Sequence, residues 1–195
     1  MTDAEDPGTE DSVVVWITEG TWRASVDAAL RLAPTGATVT LLHVIPAELP
    51  EAAHGAYLGL FGRGRPDRDP GPRLAELAEA SAGELLDAAA SRLGRPCLRA
   101  ERRGVPEREV VSAAAGAALL IVARDGDRSR LGPKSLGKAT RFVVDHAPCP
   151  VLVVWPGQAP AVGTIPPPPR APHQHEPHPP GPHQPGPHPP GPPRP

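Results

Sequence analysis

The sequence predicts an α/β fold, a doubly wound five-stranded parallel sheet with helices on both faces. Three observations carry this. Five short apolar runs rich in β-branched residues alternate with four segments of helical spacing. The fourth run, residues 118–123 (ALLIVA), is apolar throughout, as in a strand buried on both faces. The connecting segments have the length of βαβ crossovers, which are right-handed and place the strands parallel.

Residues 12–17 (SVVVWI) read as the first strand, and Thr18, Glu19, Gly20 and Thr21 combine turn and N-cap types before a helix. From Trp22, the residues Val26, Ala29, Leu30 and Ala33 recur at helical spacing until Pro34 and Gly36 stop the pattern. The second strand is 37–45 (ATVTLLHVI). Glycines, prolines and paired charges (GRGRPDRDPGP) break residues 46–72 around a weakly apolar patch at 56–61. That stretch reads as a long irregular excursion with at most one short helix. Leu74, Ala78, Leu85, Ala89 and Leu93 then mark a long helix that Gly94 and Pro96 end. Residues 97–102 make a shorter strand, and Pro106 opens a helix running to about residue 115. The fourth strand follows, then a helix at 137–146 and a last strand at 151–155.

The folded part is expected to span 12–156, long enough for a conventional core without cross-links. Cys97 and Cys149 fall on strands with no metal or redox spacing. Residues 1–11 carry Asp3, Glu5, Asp6, Glu10 and Asp11 without a basic start or apolar run, the opposite of a signal peptide, and no 18-residue apolar segment follows. A cytoplasmic protein with no membrane contact is expected. The formal net charge of −2 gives no general attraction to nucleic acid.

Most of the 30 prolines lie in 157–195, where two decapeptides align, PHQHEPHPPG and PHQPGPHPPG. This tail reads as disordered polyproline II. His173, His175, His178, His183 and His188 are candidate ligands for zinc, nickel or copper. A plain spacer of this composition is the reading set against metal binding, and the third reading is a polyproline-binding protein partner, which Pro166 to Pro169 with Arg170 suit.

The informative loop follows the fourth strand. It places Gly126, Gly132 and Gly137 beside Arg124, Arg128, Arg130, Lys134 and Lys138, with hydroxyls from Ser129 and Ser135. Glycines let amides approach an anion, and the helix near Gly137 directs its free amides and positive dipole end to the same place. The loop has neither a Walker A motif nor GxGxxG, so a solvated basic loop whose glycines only make turns stands beside the phosphate cradle.

The chain resembles the universal stress protein family over nearly all of this folded stretch. The closing run from Gly137 through HAPCPVLVV resembles that family's last helix and strand. Gly104-x-Pro106 resembles the opening of its third helix, and His43-Val44 fits the end of its second strand. The resemblance implies a Rossmann-like sheet ordered 3-2-1-4-5, with strands one and four adjacent. The site would then combine residues near Thr18, Glu19 and Val44 with the Arg124 to Lys138 loop.

ATP-binding members carry Gly-x2-Gly-x9-Gly-Ser/Thr and an Asp after strand one. Here the first glycine position is Ala123, ten residues rather than nine separate Gly126 from Gly137, and the final hydroxyl position is Lys138. The Asp position falls on Trp16 or Thr18. Lys138, Lys134 and Arg128 could neutralise phosphates, and Glu19 could reach a ribose.

The expectation is a stress-response protein binding ATP or another adenine nucleotide, with magnesium, or another phosphorylated ligand. The alternative is a dimeric interaction protein whose pocket is degenerate. No catalytic triad or carboxylate pair is legible, so catalysis ranks last, and His43 and His146 read as orienting or capping residues. The resemblance also implies a homodimer that pairs the last strand, from Val151 to Trp155, with its copy.

Overall fold

The computed structural model describes residues 11–48, 69–165 and 167. Most of the 46–72 excursion, the acidic residues before Asp11, the five tail histidines and Arg170 lie outside the described residues.

Five parallel strands form one sheet in the order β3-β2-β1-β4-β5. They are β1 (Ser12–Trp16), β2 (Thr38–Pro46), β3 (Leu98–Gly104), β4 (Leu119–Ala123) and β5 (Val151–Val154). Four α-helices among the described residues connect them: α1 (Trp22–Leu32), α2 (Pro70–Leu93), α3 (Pro106–Ala113) and α4 (Lys138–His146).

Strand alternation explains the two layers. Val13, Val15, Val39, Leu41 and Ile121 face one side, where they pack with Val26 and Ala29 of α1 and Leu86 and Leu93 of α2. Val14, Leu42, Val44, Leu120 and Val122 face the other, against Val110 of α3 and Val143 of α4. The central strands are therefore apolar at both odd and even positions, as parallel strands covered on two faces must be.

β3 shows the opposite composition because it is an edge strand. Its Arg99 and Arg103 reach Asp87 and Glu79 of α2, and charge on an edge discourages further pairing. Arg92 clasps Asp27 with bonds of 2.6 and 2.8 Å and so joins α2 to α1.

The helix α2 begins at Pro70, inside the stretch read from sequence as irregular to Pro72. Asp69 supplies the reason. Its carboxylate accepts the Gly71 amide at 2.9 Å as N-cap, and Pro70 occupies the first turn, where no amide bond is lost. At the other end Gly94 adopts φ 64° and donates its amide to Ala90 at 3.1 Å, a left-handed cap that favours glycine.

Residues 157–165 turn back, and a short 3-10 turn, Val162–Thr164, lies against the loop after β4.

Candidate functional site

Ligand sites in such sheets lie at the carboxyl ends of strands beside the point where the order reverses, here between β1 and β4. One depression opens at this pole, and a second runs from it along α4.

The first is a cleft of about 590 Å³ between the ends of β1 and β2 and the first half of α2. Trp16, Val44, Ile45, Leu74, Leu77 and Ala78 give it an apolar wall, and Thr18, Glu19, His43 and Ser81 supply its polar groups. The β1 turn is held firmly. The Thr18 carbonyl accepts the Trp22 amide at 3.0 Å, and the Thr18 and Thr21 hydroxyls lie 2.5 Å apart. His43 Nδ1 lies 2.8 Å from the Ile17 carbonyl, which can only accept, so Nδ1 carries the proton and Nε2 is the ring nitrogen left for a ligand.

The second is a shallower groove of about 550 Å³ along the outer face of α4, lined by Gly126, Lys134, Gly137, Lys138, Arg141 and Phe142 among others. His146 stacks on Phe142 with ring centroids 4.1 Å apart, and its Nδ1 lies 2.8 Å from the Phe142 carbonyl, which ties it to the last turn of the helix.

The loop between β4 and α4 is closed on itself. Gly126 donates its amide to the Ser135 carbonyl at 3.0 Å, and Asp127 donates to the Lys134 carbonyl at 2.8 Å. A methyl group built on Gly126 would lie 2.4 Å from the Lys134 oxygen, so this glycine is required by the loop's own backbone. The Gly137 amide, at the N-terminus of α4, donates to Asp125 Oδ1 at 2.7 Å. The anion facing that helix end is thus a side chain of the protein itself.

The hydroxyls are engaged in the same way. Ser129 donates to Asp127 through its hydroxyl at 2.5 Å and its amide at 3.0 Å, and these bonds, with Arg130, hold the Asp127 carboxyl below its ordinary range. Ser135 is buried, donates to the Gly132 carbonyl at 2.7 Å and accepts from Arg124. The Arg124 guanidinium lies over the Trp155 ring at 4.8 Å.

The residues singled out from sequence therefore divide. Thr18, Glu19 and Val44 line the cleft, whereas Gly126, Lys134, Gly137 and Lys138 line the groove on α4. Ala123, Arg128, Ser129 and Ser135 line neither. β1 and β4 are neighbours, but the two groups of residues face separate depressions, because the loop after β4 folds down on its own backbone. The sequence pattern marks Leu74 and Ala78 as part of a helix but does not announce Asp125, the Arg124–Trp155 stack or the use of α2 as a wall of the cleft. Asp125 meets Gly137 across 12 residues, a separation at which no local pattern announces a cap.

Burial pushes the Cys149 thiol up, which suits a packing residue rather than a thiolate. Among the described residues no cluster of three metal-ligating side chains occurs. No helix among them is long and apolar enough to cross a membrane.

The family model described as the universal stress protein family matches residues 18–154. Hypothetical protein MJ0577 has a similar structure at TM-score 0.54 and 19% identity, covering 77% of this chain and 99% of its own. A universal stress protein solved in complex with cAMP is similar at TM-score 0.50 and 19% identity, over 77% and 100%. Universal stress protein UspA from Lactobacillus plantarum is similar at TM-score 0.50 and 22% identity, over 75% and 99%. At these identities the likeness is one of fold. No curated protein matches the sequence.

Proposed function

The chain belongs to the universal stress protein family, and from that premise we propose that it is a stress-response binding protein whose β1–β2 cleft takes an adenine nucleotide of low charge. A cyclic or single-phosphate form fits this reading better than ATP with magnesium.

One observation carries the preference: the Asp125 carboxylate occupies the Gly137 amide at 2.7 Å. A triphosphate reaching the same helix end would have to displace it, and Asp127 of the same loop adds like charge. The cleft, by contrast, offers apolar walls for a flat base, His43 Nε2 as an acceptor, and Thr18 and Glu19 as polar contacts. A structure of similar fold holds cAMP, which supports the ligand class.

Isothermal titration of the full chain with cAMP, AMP and ATP, each with and without magnesium, tests this. Cyclic or single-phosphate forms should bind about tenfold tighter than magnesium ATP, a difference of ~1.4 kcal/mol. Heat only with magnesium ATP would reverse the preference, and heat with none would remove the nucleotide reading.

The second reading is a dimeric interaction protein that holds no nucleotide. The internal pairing of Ser129, Ser135 and the Gly126 and Gly137 amides favours it. In either reading the protein acts in the cytoplasm as a homodimer joined at the β5 edge, with the proline-rich tail as a spacer or as the site of a polyproline-binding protein partner.

A further inference from the structure

We propose that residues 157–165 form a strap that latches the tip of the β4–α4 loop through Thr164 and thereby sets the loop's access to charged ligands. This rests on the reading above, in which a triphosphate reaching the N-terminus of α4 would meet that loop.

The path of the chain makes the case. After β5, Trp155 lies under Arg124 at 4.8 Å, and the Arg124 amide donates to the Val154 carbonyl at 2.9 Å, so the root of the loop is tied to the end of the sheet. Gly157, at φ 129°, then reverses the chain in a conformation that favours glycine, with its amide 2.9 Å from the Trp155 carbonyl. The 3-10 turn Val162–Thr164 closes through the Thr164 amide to Ala161 at 2.9 Å and the Ile165 amide to Val162 at 3.1 Å.

The Thr164 hydroxyl is the latch. It donates to the Ala161 carbonyl at 2.7 Å and accepts the Leu131 amide at 3.0 Å. Leu131 sits at the loop tip, and the other hydrogen bonds of 128–132 among the described residues stay within the loop. Burial does not hold the strap, since Val162 is 75% and Ile165 55% exposed. A contact that rests on one hydroxyl and little apolar surface opens at low free-energy cost, as segments that gate ligands do.

The test uses full-length Thr164→Val, which keeps the shape but removes both hydroxyl bonds, with Thr164→Ser as the restoring variant. Hydrogen exchange at the Leu131 amide should accelerate about fivefold in Thr164→Val, the equivalent of one ordinary hydrogen bond, and return to the original rate in Thr164→Ser. Amides of the central strands should not change. Unaltered exchange at Leu131 overturns the strap. Titration with cAMP and ATP then tests the gating: a shift of about threefold or more in either affinity supports it, and an unchanged affinity with a released tip overturns it. If neither the original chain nor the variant binds any nucleotide, the ligand reading fails and so does gating, whereas the exchange result still decides whether the strap exists.

Discussion

The Asp125 carboxylate accepts the Gly137 amide at 2.7 Å and so closes the N-terminus of α4 with an anion from the chain itself. Removing it should both loosen the helix end and free its amide. Asp125→Ala is expected to cost about 1 kcal/mol of stability, the usual value of a lost cap, and to raise the affinity for ATP or pyrophosphate about tenfold. Asp125→Asn, which keeps an acceptor but no charge, should retain stability and gain part of that affinity. Thermal melts and titrations of both variants check this, and weaker phosphate binding in both would show that Asp125 assists the ligand.

Gly126 bears a different load from the one its place in a phosphate motif suggests. Its Cβ position lies 2.4 Å from the Lys134 oxygen and 2.8 Å from the Ser135 carbonyl carbon, both backbone atoms that cannot swing away. Gly126→Ala should therefore destabilise the domain by about 1–3 kcal/mol, as overpacking does, and Gly126→Val by more. Such variants report on the fold before they report on a ligand. Lys134→Ala, at an exposed position, is the cleaner probe of charge. An unchanged midpoint of unfolding for Gly126→Ala would mean that the loop is looser than this packing.

The reasons some of this was legible in the sequence are visible at particular residues. β1, β2 and β4 are apolar on both faces, and their pattern announces buried parallel strands without further information. The loop glycines announced a tight loop, but Gly126 serves a carbonyl of the same loop, and only the folded chain shows which atom it meets. Asp69 and Pro70 are a legible N-cap and first turn that the surrounding glycines and prolines obscured. Asp125 on Gly137 and Leu131 on Thr164 join residues 12 and 33 apart, and no periodicity encodes such pairs. Strand β5 ends at Val154, one residue before the sequence boundary, because Trp155 turns to stack with Arg124.

The Asp27–Arg92 clasp gives the domain a defined acid response. Hydrogen bonds from Arg92, aided by its charge and that of Arg31, hold the Asp27 carboxyl below its ordinary value of 3.8. A depressed folded pKa stabilises above the unfolded pKa and loses that contribution as pH falls through the lower folded value. Asp27→Asn should therefore melt below the original protein at neutral pH. The two curves of melting temperature against pH should converge below about pH 4, the region of the unfolded carboxyl. A gap that persists at pH 2 would mean that Asp27 acts through packing rather than charge.

The open side of β5 is the place to test self-association. The Leu120 amide donates to the Pro150 carbonyl at 2.9 Å and the Arg124 amide to Val154 at 2.9 Å, so even-numbered residues of this segment face β4. Val151 and Val153 accordingly direct their amides to the unpaired edge, where an apolar strand attracts a partner. Val153→Pro removes one of those amides without breaking a bond inside the sheet, a substitution that edge strands tolerate. Light scattering should give the full chain twice its 20.3 kDa mass and the variant the single mass, with unchanged circular dichroism. A dimer that survives Val153→Pro would place the interface elsewhere, and a monomeric original protein would show that this edge stays unpaired in solution.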